Sequence, residues 1–278
     1  MTTAAEAMAT ATARLRAAGV DDPARDARLL LAHAARIEAA RVTLIAPEDL
    51  EPEIAERYDR LIALRSVRIP VSHLVGERAF YGRRFKVSRD VLDPRPETEA
   101  LIEAALAEPF DDVLDLGVGS GCILVTLLAE MPEARGVGVD ISEAACLQAS
   151  ANAVMQGVHE RARIQVSDWF SRIDQQFDLI VSNPPYIARS EMQNLSPEVR
   201  QHEPDVALTD GGDGLGAYRA ICMAAPGFLA VGGRLIFEIG PTQGRAVAKI
   251  CHAAGFGEVE ILPDLDGRDR VVRARGLC

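Results

Sequence analysis

The sequence has few cysteines, and their spacing suggests neither a disulfide framework nor a metal site. The five cysteines, none in a Cys-x-x-Cys pair, are Cys122, Cys146, Cys222, Cys251 and Cys278. An odd number without metal-ligand spacing is typical of reduced, mostly buried thiols. The five histidines show no catalytic-triad or metal spacing either. We therefore expect no bound metal.

Long apolar runs and a secretion signal are also missing. No apolar run approaches the roughly 18 residues that a membrane span requires. The segment Met1–Arg14 is rich in alanine and threonine and contains Glu6, without the basic and then apolar regions of a signal peptide. These absences predict a cytoplasmic protein with no membrane role.

Basic residues are in deficit. The chain has 30 lysines and arginines against 41 acidic residues, a formal net charge of −11. Such a balance repels phosphate backbones, so nucleic acid is not favoured as a partner. The length of 278 residues and the 48% hydrophobic content suit one large globular domain with a smaller one, and we expect a monomer.

The first quarter of the chain has a helical pattern. Apolar residues recur at helical spacing over Thr10–Arg68, with alanine and arginine between them. Asp22-Pro23 is a helix start signal, and another helix is expected to begin near Pro52. We predict a small all-helical domain over residues 1–75.

A linker and an alternating α/β pattern follow. Residues 76–97 contain two short strand patterns around a Gly82-Arg-Arg turn, which predicts a β-hairpin linker. Over residues 98–278 strands alternate with stretches long enough for crossover helices, so we predict an α/β domain with a mostly parallel sheet. The expected parallel strands are Asp112–Leu116, Gly136–Asp140, Ala162–Val166, Asp178–Ser182 and Arg234–Ile239. Glu258–Leu262 and Arg270–Arg273 are close enough to pair as an antiparallel edge.

A glycine-rich turn follows the first of these strands. Asp115-Leu-Gly-Val-Gly-Ser-Gly121 ends an apolar strand and leads into an apolar helix. Glycines allow close approach of backbone to a ligand, and N–H groups at a helix start bind a carboxylate. A dinucleotide fingerprint would have glycine where Cys122 stands, and Asp115 would meet an ammonium group better than a pyrophosphate. The pattern therefore favours S-adenosylmethionine over NAD, which remains an alternative.

Acidic residues at the ends of the next two strands complete the predicted cofactor site. Asp140 is placed to accept hydrogen bonds from ribose hydroxyls, or else to cap the following helix. Asp168 and Trp169 are candidates for binding the adenine amine and covering its ring. The predicted cofactor-binding residues are Asp115, Gly117, Val118, Gly119, Ser120, Gly121, Asp140, Ile141, Asp168, Trp169 and Asn183.

The tetrapeptide Asn183-Pro184-Pro185-Tyr186 follows the strand Asp178–Ser182 and is the predicted catalytic segment. Two prolines stiffen the backbone and remove two N–H donors, which leaves carbonyl-type oxygens as acceptors. The side-chain oxygen of Asn183 and the carbonyl of Pro184 can accept both hydrogens of one NH₂ group, while Tyr186 packs on a planar amide or base. Positioning and electrostatics would then activate a weakly nucleophilic nitrogen.

This tetrapeptide behind the glycine turn resembles class I methyltransferases that modify amide or exocyclic nitrogens. Further segments resemble the HemK/PrmC family of protein-(glutamine-N(5)) methyltransferases, although Val118 and Asp93 depart from the family's usual residues. These segments are Gly76–Gly82, Phe85–Val87, Leu92–Glu99, Glu203-Pro204, Gly211–Gly214, Glu238–Gly240 and Asp264–Arg270.

The resemblance implies a Rossmann-like class I methyltransferase sheet and S-adenosylmethionine as the cofactor. It also implies that the substrate is the glutamine of the Gly-Gly-Gln loop of peptide chain release factors, held in part by the helical domain. The alternative that the tetrapeptide alone permits is a nucleic-acid methyltransferase acting on adenine N(6) or guanine N(2).

Overall fold

The computed structural model describes residues 2–277, which form two compact units. The first contains the chain up to Glu77 together with Ser196–His202, and the second contains Arg78–Leu195 and the chain from Glu203 onward. The α-helices are α1 Ala4–Ala17, α2 Pro23–Ala35, α3 Val42–Ile45, α4 Pro52–Ser66, α5 Val71–Val75, α6 Glu99–Leu106, α7 Cys122–Glu130, α8 Glu143–Met155, α9 Pro197–His202, α10 Asp205–Leu208, α11 Gly216–Ala224 and α12 Gly244–Ala253. The strands are β1 Glu77–Phe80, β2 Arg83–Lys86, β3 Asp112–Leu116, β4 Arg135–Asp140, β5 Ala162–Val166, β6 Phe177–Ser182, β7 Leu229–Glu238, β8 Phe256–Pro263 and β9 Asp269–Leu277.

The first unit is helical, as the apolar spacing predicts. Helix α1 begins at Ala4, earlier than the pattern suggests, because Thr3 and Glu6 form a capping box that satisfies the first N–H groups. Helix α2 begins at Pro23, and the Asp22 side chain accepts from a backbone N–H of its first turn. The apolar faces of α1, α2 and α4 meet in one buried cluster that includes Leu15, Leu30, Leu31, Tyr58 and Ile62.

Buried ion pairs attach α9 to this helical unit. The Glu198 carboxylate contacts Arg65 Nη2 at 2.8 Å and Arg68 Nη2 at 2.6 Å. The Arg65 guanidinium also contacts Asp26 Oδ2 at 2.8 Å. Charges taken out of water must be paired to be tolerated, so this network fixes α9 at one place in the unit.

Strands β1 and β2 form a separate two-stranded hairpin. The turn consists of Tyr81 and Gly82, both with positive φ (46° and 70°), as a type I′ turn requires. Arg83 and Arg84 therefore lie in β2, and the expectation that they form the turn is wrong. The sequence pattern suggested glycine as the first turn residue, whereas Gly82 is the second.

The second unit contains a seven-stranded sheet of order β5-β4-β3-β6-β7-β9-β8. The pairs from β5 to β7 are parallel, and β9 pairs antiparallel with both β7 and β8. The predicted α/β class and the antiparallel edge are confirmed. The strand order reverses between β3 and β6, and ligands of open α/β sheets bind at such a switch point. The glycine turn after β3 and the tetrapeptide after β6 therefore begin side by side.

Apolar clusters cover both faces of this sheet. On one face α7 packs so closely against β4 that a Cβ at Gly136 would lie 2.5 Å from a Leu124 methyl. The hydroxyl of Ser182 donates to the Leu116 carbonyl at 2.7 Å, which joins the ends of β6 and β3 directly below the two loops. Over residues 2–277 the structure contains no helix with the length and apolar character of a membrane span.

The described cysteines are free thiols, as their spacing predicts. Cys222 and Cys251 are fully buried between α11 and α12, with their sulfur atoms 3.6 Å apart. Cys278 lies outside the described residues.

Candidate active site

A cavity of about 470 Å³ opens at the carboxyl ends of the central strands. The glycine turn and the tetrapeptide both contribute to its wall. The predicted site residues that line it are Gly117, Val118, Gly119, Ser120, Asp140, Ile141, Asp168, Trp169, Asn183 and Pro185. Four others do not line it, namely Asp115, Gly121, Pro184 and Tyr186. The sequence therefore places most of its candidate residues in one pocket.

The glycine turn is held in place by hydrogen bonds to neighbouring residues. The N–H groups of Gly117 and Val118 both donate to the Val139 carbonyl, at 2.9 and 2.8 Å. Asn152 donates to the Ser120 carbonyl at 2.7 Å. At Gly121, where φ is 81°, a Cβ would lie 3.1 Å from the Cα and Cβ of a residue of α8, so this glycine serves helix packing rather than the cavity wall.

Asp140 bridges the turn and the start of α8. Its Oδ2 accepts from the Gly119 N–H at 3.0 Å, and its Oδ1 accepts from the Ser142 N–H at 2.9 Å. The helix cap is Ser142, whose side chain accepts from the Ala145 N–H at 3.2 Å. Asp140 is therefore not the cap, and its carboxylate keeps lone pairs on the cavity wall for a ligand.

Asp115 lies in the protein interior instead of on the wall. Its side chain is fully buried, and Oδ2 accepts from the Leu124 N–H at 3.2 Å. Burial raises the pKa of Asp115 to about 7 despite that hydrogen bond. Its direct contact with a cofactor ammonium group stays a prediction.

The far wall of the cavity contains Ile141, Asp168 and Trp169. Ile141 is apolar yet 60% exposed, as expected for a side chain that a ligand covers. Trp169 has φ of 44°, a rare conformation for a bulky residue, and the Ser167 hydroxyl donates to its carbonyl at 2.9 Å. The turn thus holds an aromatic ring beside an exposed carboxylate.

Within the tetrapeptide, Asn183 and Pro185 face the cavity, whereas Pro184 is buried. The Asn183 side-chain nitrogen donates to Thr98 Oγ1 at 3.4 Å. The carboxamide oxygen of Asn183 is therefore the acceptor that remains for a ligand. The role of the Pro184 carbonyl as a second acceptor stays a prediction.

Tyr186 is anchored away from the cavity. Its hydroxyl donates to Glu238 Oε1 at 3.3 Å, and Gln243 Nε2 donates to its carbonyl at 2.9 Å. Burial, with the nearby Glu238, raises the pKa of Tyr186, so the phenol is neutral. The packing of the Tyr186 ring on a substrate amide stays a prediction.

Glu238 at the end of β7 is 1% exposed. Burial raises its pKa to about 7, against the opposing effects of hydrogen bonding from Thr98, the charge of Arg270 and the Tyr186 hydroxyl. The sequence suggested no role for this residue beyond its place in a family segment, because its partners are far away along the chain.

The side of the cavity nearest the tetrapeptide was not predicted as part of the site. The segments Asp90–Arg95 and Pro204–Ala207 contribute most of its residues. Arg95 Nη2 contacts both carboxylate oxygens of the buried Glu203, at 2.6 and 2.7 Å, and so ties the two segments together. The sequence feature that could have indicated this side of the cavity is the stiff segment Pro94-Arg-Pro96.

A glycine loop supports the tetrapeptide from behind. The Asp210 carboxylate accepts from the N–H groups of Gly212, Gly214 and Gly216, at 2.8, 3.1 and 2.6 Å. Burial would raise the pKa of Asp210, but these backbone donors outweigh it and the pKa is lowered. A Cβ at Gly214 would overlap the carbonyl oxygen of Tyr186, so the two loops can meet only at a glycine.

Comparisons with known proteins identify relatives along nearly the whole chain. The PrmC N-terminal domain family matches residues 6–76, and the methyltransferase small domain family matches residues 87–215. A release factor glutamine methyltransferase of Cereibacter sphaeroides is 59% identical over 98% of this chain and 98% of its own length. One of Rhodospirillum rubrum is 43% identical over 94% of this chain and 82% of its own.

The fold of the larger unit occurs in solved structures. A crystal structure of a methyltransferase from Pyrococcus furiosus superposes with a TM-score of 0.54 at 14% identity, covering 72% of this chain and 92% of that one. At this level of identity the likeness concerns the fold alone.

Proposed function

This chain belongs to the family of release factor glutamine methyltransferases, and from that premise we propose its reaction. It transfers the methyl group of S-adenosylmethionine to the side-chain nitrogen, N(5), of the glutamine in the Gly-Gly-Gln loop of peptide chain release factors. The observation that carries the proposal is the position of the Asn183 side chain. Its amide oxygen is left free on the wall of the same cavity that the glycine turn borders.

The cofactor is S-adenosylmethionine, and the cavity residues fit it. The turn Gly117–Ser120 places backbone beside the cavity with no side chain larger than Val118. Asp140 would hold the ribose hydroxyls, and Asp168 with Trp169 the adenine ring. The buried Asp115 has one carboxylate oxygen, Oδ1, without a partner among the described residues, as expected if a cofactor ammonium group or its water binds there. When bound, the cofactor supplies an electrophilic methyl group.

The chain's own contribution is to prepare the acceptor nitrogen. The lone pair of an amide nitrogen is delocalised into its carbonyl and attacks poorly. The Asn183 oxygen accepts one N–H of the substrate amide and holds the nitrogen toward the methyl group, with the Pro184 carbonyl proposed as the second acceptor. The rigid Pro184-Pro185 backbone keeps this acceptor in place while the substrate binds.

The remaining parts of the proposal concern partners and location. We propose that the chain acts as a monomer in the cytoplasm on class 1 release factors and does not bind nucleic acid directly. The net charge of −11 supports the last point. We also propose residues 1–75 as the release-factor-binding domain, residues 76–97 as the linker and residues 98–278 as the methyltransferase domain.

The direct test is methylation of a purified release factor with isotopically labelled S-adenosylmethionine, followed by mass spectrometry of the Gly-Gly-Gln peptide. The expected product is a gain of one labelled methyl group on the glutamine side chain. A release factor in which that glutamine is replaced by asparagine is the matched control. Label found on RNA or DNA, with the glutamine unmodified, would contradict the proposal.

A further inference from the structure

Two buried side chains contact the two ends of the tetrapeptide. Thr98, 2% exposed, accepts the hydrogen bond from the Asn183 side-chain nitrogen at 3.4 Å. Glu238, 1% exposed, accepts the hydrogen bond from the Tyr186 hydroxyl at 3.3 Å. Thr98 therefore holds the nitrogen end of the Asn183 amide, and Glu238 holds Tyr186 at the other end of the tetrapeptide.

The direction of the contact with Thr98 matters because the two ends of a carboxamide differ. The Thr98 oxygen accepts from the Asn183 side-chain nitrogen, so the amide oxygen does not face Thr98. An asparagine side chain presents a donor on one side and an acceptor on the other. The contact with Thr98 therefore selects the orientation in which nitrogen faces Thr98 and oxygen faces the cavity.

The opposite orientation would present two N–H donors to the NH₂ group of a substrate amide, and no hydrogen bond would form between them. Thr98 lies on the cavity wall beside Asn183, so nothing needs to move for the selected orientation to be used. On the other side, Gln243 holds the Tyr186 carbonyl at 2.9 Å, so the tetrapeptide cannot shift to compensate.

We propose that Thr98 is a positioning residue for the methyl transfer, which turns the Asn183 oxygen toward the substrate amide. This inference rests on the proposed function, because it assumes an NH₂ group as the acceptor. It predicts an effect on turnover rather than on cofactor binding. Thr98 acts only through Asn183.

The test compares Thr98→Val, which keeps the shape and removes the hydroxyl, with Thr98→Ser, which restores it. Thr98→Val should lower kcat for release-factor methylation about 10- to 100-fold, the range expected for a misoriented catalytic group. The serine variant should recover to within about 3-fold of the wild-type kcat. Calorimetric affinity for S-adenosylmethionine should be unchanged in both variants.

Thr126→Val is the matched control. Thr126 is fully buried in α7, its hydroxyl has no partner among the described residues, and it does not line the cavity. The same chemical change there should leave kcat unaltered. If Thr126→Val and Thr98→Val reduce kcat equally, the effect is structural and the positioning role is overturned.

A double-mutant cycle with Asn183→Ala tests whether Thr98 acts through Asn183. In that background, Thr98→Val should change kcat by less than about 3-fold, since its only target is already absent. If the wild-type protein does not methylate the glutamine, the proposed function is refuted. If the wild-type protein and Thr98→Val methylate it equally well, only the positioning role is refuted.

Discussion

The buried carboxyl group of Glu238 should make the stability of the second unit depend on pH in an unusual direction. In the unfolded chain its pKa is near the ordinary 4.5, and in the folded protein burial raises it to about 7. Between these values the folded state holds a proton that the unfolded state releases. Folding is therefore favoured at the acidic end of this window, and stability is lost as the pH rises through it.

The expected magnitude follows from the difference in pKa. A separation of about 2.5 pH units corresponds to about 3 kcal/mol between pH 4.5 and pH 7.5. Thr98, Tyr186 and Arg270 face the carboxylate and oppose the shift, while Glu97 adds to it, so the net effect is that of burial. The Glu238→Gln variant has no proton to gain and should lack this part of the pH dependence.

Urea unfolding at several pH values measures this directly. Trp169, the only tryptophan of the chain, lies in the second unit and reports its unfolding by fluorescence. The free energy of unfolding of Glu238→Gln, relative to wild type, should rise by about 3 kcal/mol from pH 4.5 to pH 7.5. Parallel curves for the two proteins would refute the reasoning that desolvation controls this carboxyl group. Asp115, with a pKa also near 7, contributes equally to both proteins and cancels in the difference.

Three further outcomes are expected. Asn183→Ala should lower kcat about 100-fold or more while the calorimetric affinity for S-adenosylmethionine changes less than about 3-fold, and an equal loss in both would place Asn183 in cofactor binding alone. Gly121→Ala should destabilise the second unit by about 1–3 kcal/mol in urea unfolding, because its Cβ would press on α8 at a positive φ. Asp22→Ala should cost about 1 kcal/mol through the lost cap of α2, measured by circular dichroism, with no effect on cofactor affinity.

The sheet could be predicted from the sequence because its strands carry local signals. Asp112–Leu116 and Ala162–Val166 have the predicted bounds, since each is a short apolar or alternating run between turn residues. Strand β7 starts at Leu229, five residues before the predicted Arg234. Its first part includes Gly232 and Gly233, which a pattern-based reading assigns to a loop. Leu229 pairs with Phe177 of β6 and the register then shifts before Leu179 pairs with Arg234, so the two glycines lie in an irregular part of the strand.

The cofactor side of the cavity was also largely predictable. Gly117–Ser120 directly follow β3, Asp140 is the last residue of β4, and Trp169 lies three residues after β5. The carboxyl ends of parallel strands meet at one edge of the sheet, so these residues are brought together. A residue's position after a strand does not fix the direction of its side chain, however. Asp115 is the last residue but one of β3, and it is buried because both faces of this central strand are covered.

The substrate side illustrates why the remainder could not be predicted. Asn183 carries a clear signal in its own tetrapeptide, but the orientation of its amide depends on Thr98, 85 positions earlier, and Tyr186 is held by Glu238, 52 positions later. No periodicity or local spacing connects residues so far apart. A reactive loop can be recognised from a short motif because its chemistry is local. The side chains that orient it lie far away along the chain and contact it only in the folded protein.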